Sequence, residues 1–127
     1  MHKLLKYVEA DYKTEEQKYV SALNCGVSTA LKEMRITKEH WNKTYGILGY
    51  HGVQSFKGKE VTPKIAHEIG LKFAEEIWGD EFEVIVSTHL NTYNTHNHFV
   101  INSVSMKTGK KYYDTSTSFR FRFWCIY

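Results

Sequence analysis

Three histidines, His89, His96 and His98, lie within a ten-residue stretch of this chain. The pair His96 and His98 opens the run Phe99–Val104, which is typical of a β-strand. Side chains two positions apart point to the same face of a strand, so both imidazoles should face the same way, about 7 Å apart. His89 ends the preceding apolar run, and a turn over residues 90–95 can fold it back against the pair. Such a group could hold one divalent metal ion through three nitrogens, with coordination positions left open for a substrate.

The alternative for these histidines is that they are ordinary polar residues at the edge of a strand. A pair at i and i+2 with a third histidine seven residues earlier is less often accidental, so the spacing favours metal binding. Imidazole nitrogen suits Mn, Zn, Fe, Ni or Cu better than Mg. Asn91 and Asn102 lie beside the histidines, and each could orient an imidazole through its second nitrogen. The alternatives are a turn residue for Asn91 and a solvent-facing strand residue for Asn102.

Other residues could contact or attack a phosphate. Ser55 lies at the polar end of a strand-like run and could donate to a phosphate oxygen, although a strand running into a glycine turn explains the run equally well. His51, in the same run, is expected to lie on the sheet rather than to bind metal. A metal that neutralises a phosphate makes attack by a phenol feasible. The residues leave five tyrosines open for that role: Tyr7, Tyr12, Tyr19, Tyr93 and Tyr112.

Composition limits the protein classes that the chain can belong to. Its 127 residues fit one domain with a real core, and its net charge of +3 permits nucleic-acid binding without requiring it. No apolar run approaches the ~20 residues of a membrane-spanning helix, and the first residues do not form a signal peptide. We therefore expect a cytoplasmic protein without membrane insertion. Cys25 and Cys125 show no disulfide or metal-ligand spacing and are interpreted as reduced thiols.

The elements that must position these residues follow from periodicity and capping signals. The clearest helix has Thr62 as its N-cap and Pro63 at its first position, and it ends before Gly79. Strands are predicted over residues 82–88 and 96–105, and a turn then leads into a further strand. The inward stripe of the helix is predicted to be Ile65, Ile69, Phe73 and Ile77. Consecutive final strands predict an α+β domain, an antiparallel β-sheet with helices packed on one face.

Several motifs follow one another in a specific order. They are Leu5-Lys6-Tyr7-Val8, Lys13-Thr14, Asn24-Cys25, the run Tyr50–Phe56, Glu60-Val61-Thr62-Pro63, the run Ala66–Gly70, and Thr88-His89 through His96-Asn97-His98 to Ser105. Together they resemble the relaxase/mobilisation nuclease family, in the branch of the HUH endonucleases found on conjugative and mobilisable elements of Gram-positive bacteria. The resemblance extends from about Leu5 to Tyr113.

The resemblance implies a specific reaction and specific site residues. Relatives nick one DNA strand at an origin of transfer by tyrosine attack, which leaves a 5′-phosphotyrosine link and a free 3′-hydroxyl. The tyrosine of the first motif falls on Tyr7, and the DNA-contacting serine of the second motif falls on Ser55. The metal ligands of the third motif fall on His89, His96 and His98. We expect a divalent metal, with Mg or Mn in use and Zn or Ni as alternatives.

The resemblance also implies partners. Single-stranded DNA at an origin of transfer is the expected substrate, with relaxosome accessory proteins and a coupling protein as further partners. Aromatic and basic side chains would hold the strand. The C-terminal part has a basic bias for this task, with solvated surface as the alternative: Lys107, Lys110, Lys111, Arg120 and Arg122.

We expect residues 1–127 to form a single relaxase-like nuclease domain that is incomplete, with an atypical tail over residues 114–127. Two other functions stay open. In one, the chain is a truncated, non-catalytic module that binds metal and single-stranded DNA. In the other, it is a metal-dependent hydrolase that uses bound water.

Overall fold

Seven elements of secondary structure make up the described part of the chain. The structure is a computed structural model, and it describes residues 19–57, 61–90, 95–112 and 122–125. Within them the chain forms strands β1 (Val20–Leu23), β2 (Gly49–Phe56), β3 (Val84–Leu90), β4 (Thr95–Asn102) and β5 (Arg122–Cys125), and helices α1 (Ala30–His40) and α2 (Pro63–Trp78). The strands form one antiparallel sheet in the order β1-β3-β4-β2-β5. The predicted α+β class and antiparallel sheet are confirmed.

The two helices lie on opposite faces of this sheet, which corrects the expectation that helices pack on one face. Helix α1 packs Ala30 and Met34 against Ile85 and Val100. Helix α2 packs Ala74 and Trp78 against the neighbouring strand residues Val84, Val86, Phe99 and Ile101. Successive strand residues point to opposite faces, so the two helices cover different sides. We call the side under α1 the front face and the side under α2 the rear face.

The reason for the two-sided cover is visible in the central strands. Both β3 and β4 contain three consecutive apolar residues, 84–86 and 99–101, where a half-solvated strand would alternate apolar and polar positions. All six of these side chains are 0 or 1% exposed. Burial of apolar side chains on both sides of a strand requires a packed layer on each face, and one helix supplies each layer.

Helix α2 begins as the sequence predicts, but it turns a different side to the sheet. The Thr62 hydroxyl accepts a hydrogen bond from the Ile65 backbone N–H, and Pro63 occupies the first turn. The predicted inward stripe is wrong in its first half, because Ile65 and Ile69 are 46% and 39% exposed, whereas Phe73 and Ile77 pack against the rear core. The buried side consists of small or flat residues together with the terminal tryptophan: Ala66, His67, Gly70, Ala74 and Trp78.

Small residues on α2 allow its backbone to lie close to β4. A Cβ atom added to Gly70 would lie 2.5 Å from the Asn97 amide nitrogen, well inside van der Waals contact. The buried side of α2 is therefore the side whose small residues allow close approach to the Asn97 side chain, and not the side with the most large apolar residues. Periodicity alone does not register this preference.

Within residues 103–112 the structure contains less strand than the sequence predicts. The expected strand after the turn at Thr108-Gly109 is reduced to a single bridge between Val104 and Lys111. Strand β5 lies within residues 114–127 and pairs with β2 at the sheet edge. No helix in the described ranges is long and apolar enough to cross a membrane.

Candidate functional site

The pairing of β3 with β4 brings the three predicted histidines together on the front face. His89 lies directly opposite His96, and Ser87 lies directly opposite His98. Because residues paired in this way share a face, all three imidazoles lie on one side of the sheet. The ring centroid of His98 is 6.1 Å from that of His89 and 6.4 Å from that of His96. Helix α1 covers the half of this face around Ile85 and Val100, and the histidines occupy the other half.

A fourth histidine, His51 on β2, completes the group. Its Nε2 lies 2.9 Å from Nδ1 of His98, and the two rings lie edge to edge in nearly parallel planes with centroids 5.1 Å apart. Sequence reasoning placed His51 on the sheet but not at the site. The missing information was the register of β2 against β4, in which His51 is diagonal to His98 across the strand pair.

Burial favours the neutral form of three of these imidazoles, those of His51, His96 and His98. The pKa of His98 is lowered to about 4, mainly by burial and further by positive charge on His51, His89 and His96. Burial also lowers the pKa of His51, and it lowers that of His96 together with the neighbouring charge of His89. A metal ion binds only neutral imidazole, so His98 presents a free lone pair across the physiological pH range.

Three imidazoles are chemically suitable ligands for a divalent metal ion, and their rings lie slightly farther apart than bound imidazoles would. Three imidazole nitrogens held about 2.1 Å from one ion would bring the ring centroids to about 5 Å from one another. The two centroid distances from His98 exceed this by about one ångström. Consistently, no group of three His, Cys, Asp or Glu side chains in the described ranges is placed to hold a metal ion. The second side-chain torsion of histidine is soft, so small ring rotations close such a gap.

An orphaned hydroxyl beside the histidines supports this fit. Ser87 is 0% exposed, and its Oγ has no hydrogen-bond partner among the residues that the structure describes. It shares the front face with His98, its direct neighbour across the strand pair. Buried polar atoms are nearly always hydrogen-bonded, so an unpartnered one marks a place where water or a ligand belongs.

Ser55 and the predicted lysines fall at opposite ends of the sheet. Ser55 is exposed and lies directly opposite His96, at the histidine end. The lysines follow the far end of β4, where Lys107 and Lys110 are exposed. The Lys111 ammonium donates to the Tyr45 backbone carbonyl oxygen and lies over the Tyr45 ring. The structure therefore brings Ser55 to the histidines, and it does not bring the lysines there.

Asn102 does not orient an imidazole, which corrects one of the roles predicted for it. It lies four positions from His98, about 13 Å along the strand. Its Nδ2 donates to the Met34 carbonyl oxygen and to Glu83 Oε1, and its Oδ1 accepts from the Lys38 ammonium. It is 0% exposed, so it is not a solvent-facing residue either. Asn91, predicted for the same role, lies outside the described residues, as does Tyr7.

A buried polar network on the rear face supports the strands that carry the histidines, and sequence reasoning missed it. Asn97, between His96 and His98, accepts from the Thr88 hydroxyl at 2.6 Å and donates to the Ala66 carbonyl oxygen at 2.7 Å. Thr88 Oγ1 also lies 2.8 Å from Nδ1 of His67. The network joins β3, β4 and α2 directly behind the site. The signal available in the sequence was the polar residue next to the site histidines on each strand, Thr88 on β3 and Asn97 on β4.

Two of the five candidate tyrosines fall in the described ranges, and both lie on the rear side. Tyr112 makes edge contacts with Tyr50 and Phe82, which belong to the rear core. Tyr19 lines a cavity with His67 of α2. Because both lie on the face opposite the three histidines, Tyr7, Tyr12 and Tyr93 remain candidates, and all three lie outside the described residues.

Comparison with known proteins assigns the family. The chain matches the family "Relaxase: MobA/VirD2-like, nuclease domain" over residues 7–125. The chain belongs to this relaxase family. Three staphylococcal relatives named "Protein rlx", from Staphylococcus aureus, are 40–43% identical over 80–81% of this relaxase-family chain. The "Group II intron-interrupted relaxase LtrB" of Lactococcus lactis subsp. cremoris is 36% identical over 63% of it.

The relaxase-family chain spans only part of these relatives. It covers 30–32% of the length of the Staphylococcus aureus proteins and 14% of the Lactococcus lactis protein. No solved structure matches the chain.

Proposed function

We propose that this chain is a metal-dependent, strand-specific DNA nicking domain that acts at an origin of transfer by tyrosine transesterification. The observation that supports the proposal most directly is the convergence of His89, His96 and His98 on one half-buried face. Membership of the relaxase family supplies the reaction class. Neutral imidazoles beside an unpartnered hydroxyl are a suitable environment for a cation and a phosphate oxygen.

The metal ion would be held by His89, His96 and His98. A bound divalent cation supplies positive charge that offsets the charge on the phosphoryl oxygens during displacement. His98 is partly buried, and the lower local polarity around it would strengthen that electrostatic effect. Ser55, exposed and directly opposite His96, would donate to the DNA backbone next to the scissile phosphate.

The covalent step assigned to Tyr7 is balanced. Its phenolic oxygen forms a bond to the scissile phosphorus while the bond from phosphorus to the 3′ oxygen breaks. The phenol loses its proton, and the departing 3′ oxygen gains one. One phosphoester replaces another, so the strand can be rejoined by the reverse reaction.

The proposed substrate is single-stranded or locally melted DNA, because the scissile phosphate has to reach half-buried rings on a sheet face. Relaxosome accessory proteins and a coupling protein are the proposed partners of the longer protein. Lys107 and Lys110, exposed after the far end of β4, would contact backbone phosphates some distance from the nick.

The test uses labelled single-stranded DNA and a denaturing gel. The purified chain is incubated with a randomised oligonucleotide pool, with Mn²⁺ or with EDTA, and the pool carries its label at either the 3′ or the 5′ end. We expect the 3′ label to migrate with the protein in denaturant and the 5′ label to be released on a shorter fragment, in both cases only with metal. Tyr7→Phe should form no adduct, whereas Tyr45→Phe, at a residue that is 62% exposed, should react normally.

The alternatives give different patterns. Cleavage without an adduct, kept in Tyr7→Phe and lost in His98→Ala, would indicate hydrolysis by bound water. Salt-sensitive DNA retention without cleavage under any metal would indicate a non-catalytic binding module. An adduct that persists in Tyr7→Phe would reassign the nucleophile to another tyrosine.

A further inference from the structure

The contact between His51 and His98 has a consequence for which nitrogen of His98 is available. The two atoms 2.9 Å apart are His51 Nε2 and His98 Nδ1, so one of them carries the shared proton and the other accepts it. An imidazole has only two nitrogens. If Nδ1 of His98 is engaged with His51, only Nε2 remains to face the other histidines.

The direction of this hydrogen bond decides whether His98 can be a ligand. If His98 Nδ1 accepted the proton, its Nε2 would carry the hydrogen of the neutral ring and would have no lone pair to give. If His98 Nδ1 donates, Nε2 has a free lone pair and faces the neighbouring rings. Ligating histidines commonly donate their second N–H to a fixed acceptor, which sets both tautomer and ring orientation.

We propose that His51 is a positioning residue, whose Nε2 accepts a hydrogen bond from His98 Nδ1 and so holds His98 with an unprotonated Nε2 directed at the site. The role of this geometry in metal binding rests on the proposed function, whereas the hydrogen bond between the two imidazoles does not. The acceptor most often found in such pairs is a carboxylate or a backbone carbonyl oxygen. Here a second imidazole takes that place.

The architecture around His51 suits an acceptor fixed in position. It lies in the middle of β2, which is paired with β4 on one side and with β5 on the other. A strand paired on both sides holds its backbone firmly, and the two ring planes differ by only 14°, so the hydrogen bond lies close to the plane of both rings. Ser55, four residues along the same strand, shares this face, so β2 carries both the positioning histidine and the DNA-contacting serine.

The first test is the tautomer of His98 in the metal-free wild-type chain. Nitrogen-15 chemical shifts of the imidazoles, assigned by comparison with His98→Ala, distinguish a ring protonated at Nδ1 from one protonated at Nε2. We expect His98 to carry its hydrogen on Nδ1 and to lose this preference in His51→Leu. A wild-type His98 protonated at Nε2 would overturn the inference. This measurement needs neither metal nor DNA, so it is decisive even if the chain does not nick.

The second test compares two substitutions of the acceptor. His51→Gln keeps an oxygen that can accept near the position of Nε2, and His51→Leu keeps the bulk without an acceptor. We expect Mn²⁺ affinity, measured by titration, to fall about 10- to 100-fold in His51→Leu, the range found for lost outer-shell partners. His51→Gln should stay within about threefold of the wild type by the same argument. His40→Leu, at an exposed position on α1, is the matched control.

The outcomes separate the inference from the proposed function. Equal Mn²⁺ affinity in His51→Leu and the wild type would overturn the positioning role while leaving metal-dependent nicking intact. Equally weak binding in His51→Leu and His51→Gln, with metal-induced shifts at the His51 nitrogens of the wild type, would make His51 a fourth ligand. That result would also overturn the positioning role. A wild-type chain that binds no Mn²⁺ but has the Nδ1 tautomer would contradict the proposed function and keep the hydrogen bond.

Discussion

The two ends of β4 on the front face carry polar side chains of the same strand, yet they are built differently. At the Asn102 end, the amide contacts Lys38, Glu83 and the Met34 backbone, so both of its polar atoms are engaged by protein. At the histidine end, His98 makes one ring hydrogen bond to His51, and the Ser87 hydroxyl across the strand pair has no partner among the described residues. A polar group saturated by its own chain stabilises the fold, whereas one with unused donors or acceptors is available to a ligand.

The same contrast extends to ionisation. At the histidine end, burial lowers the pKa of His98 to about 4 and leaves a neutral imidazole. At the Asn102 end, burial lowers the pKa of Lys38 to about 8 and raises that of Glu83. Burial therefore has one physical effect in both places, which is to disfavour the charged form. Ligand binding and folding stability, measured on the same variants, separate the two ends.

The largest effect is expected from His98→Ala at the histidine end. Removal of the central imidazole should weaken Mn²⁺ binding by at least about 100-fold, above the range for an outer-shell partner. The free energy of unfolding should change by only about 1 kcal/mol, since a half-buried polar ring is removed. Mn²⁺ titration and urea denaturation measure the two quantities, with His40→Ala as the exposed control. Unchanged Mn²⁺ affinity would show that the histidines are structural.

The reverse pattern is expected for Asn102→Ala at the other end. The substitution removes the buried amide that Lys38 and Glu83 both contact, which should lower the free energy of unfolding by about 2 kcal/mol. Mn²⁺ affinity of the folded protein should stay within about twofold, since no site ligand is touched. Urea denaturation checks the first value, with Thr44→Ala as an exposed polar control. If Asn102→Ala stayed as stable as the wild type but lost Mn²⁺ binding, Asn102 would have a role at the metal site after all.

The pH dependence of stability isolates the buried lysine. Lys38 has a folded pKa of about 8, lowered from 10.5 by burial and by the positive charge of Lys111, against the opposing charge of Glu83. Between these two values the unfolded chain binds more protons, so stability should rise with pH, with a slope of at most about 1.4 kcal/mol per pH unit. The difference between wild type and Lys38→Met in urea titrations from pH 8 to pH 10 measures this slope. Lys32→Met, at an exposed position, should keep the wild-type dependence, and a parallel profile for Lys38→Met would refute the assignment.

The smallest effect concerns the lysines beyond the Asn102 end. If Lys107 and Lys110 each neutralise one phosphate, the double alanine variant should reduce the salt slope of single-stranded DNA binding by about 1.4. The loss of affinity at one salt concentration is then only a few-fold. Fluorescence anisotropy titrations over a salt series measure the slope, with Lys32→Ala/Lys72→Ala as an exposed control on the two helices. An unchanged slope would confine the DNA to the histidine end.

Much of this molecule could be predicted because local pattern and final structure agree. The hairpin of β3 and β4 follows from two apolar runs joined by a short polar segment, and the shared face of His96 and His98 follows from the two-residue period of a strand. The start of α2 follows from Thr62 and Pro63. The Thr62 side chain accepts from an unpaired N–H group of the first turn, and Pro63 has no N–H group to leave unpaired. Family membership follows from the order of motifs along the chain.

Other features were decided by the tertiary structure. The buried side of α2 depends on how closely Gly70 approaches Asn97, and the burial of Asn102 depends on α1 crossing the front face with Lys38. The meeting of His51 and His98 depends on the pairing of β2 with β4, two strands separated by a helix and a third strand. Periodicity reports which residues of one element share a side. Which elements then meet, and at what register, is set by the packing of the whole chain, because that choice minimises exposed apolar surface and unpaired polar groups together.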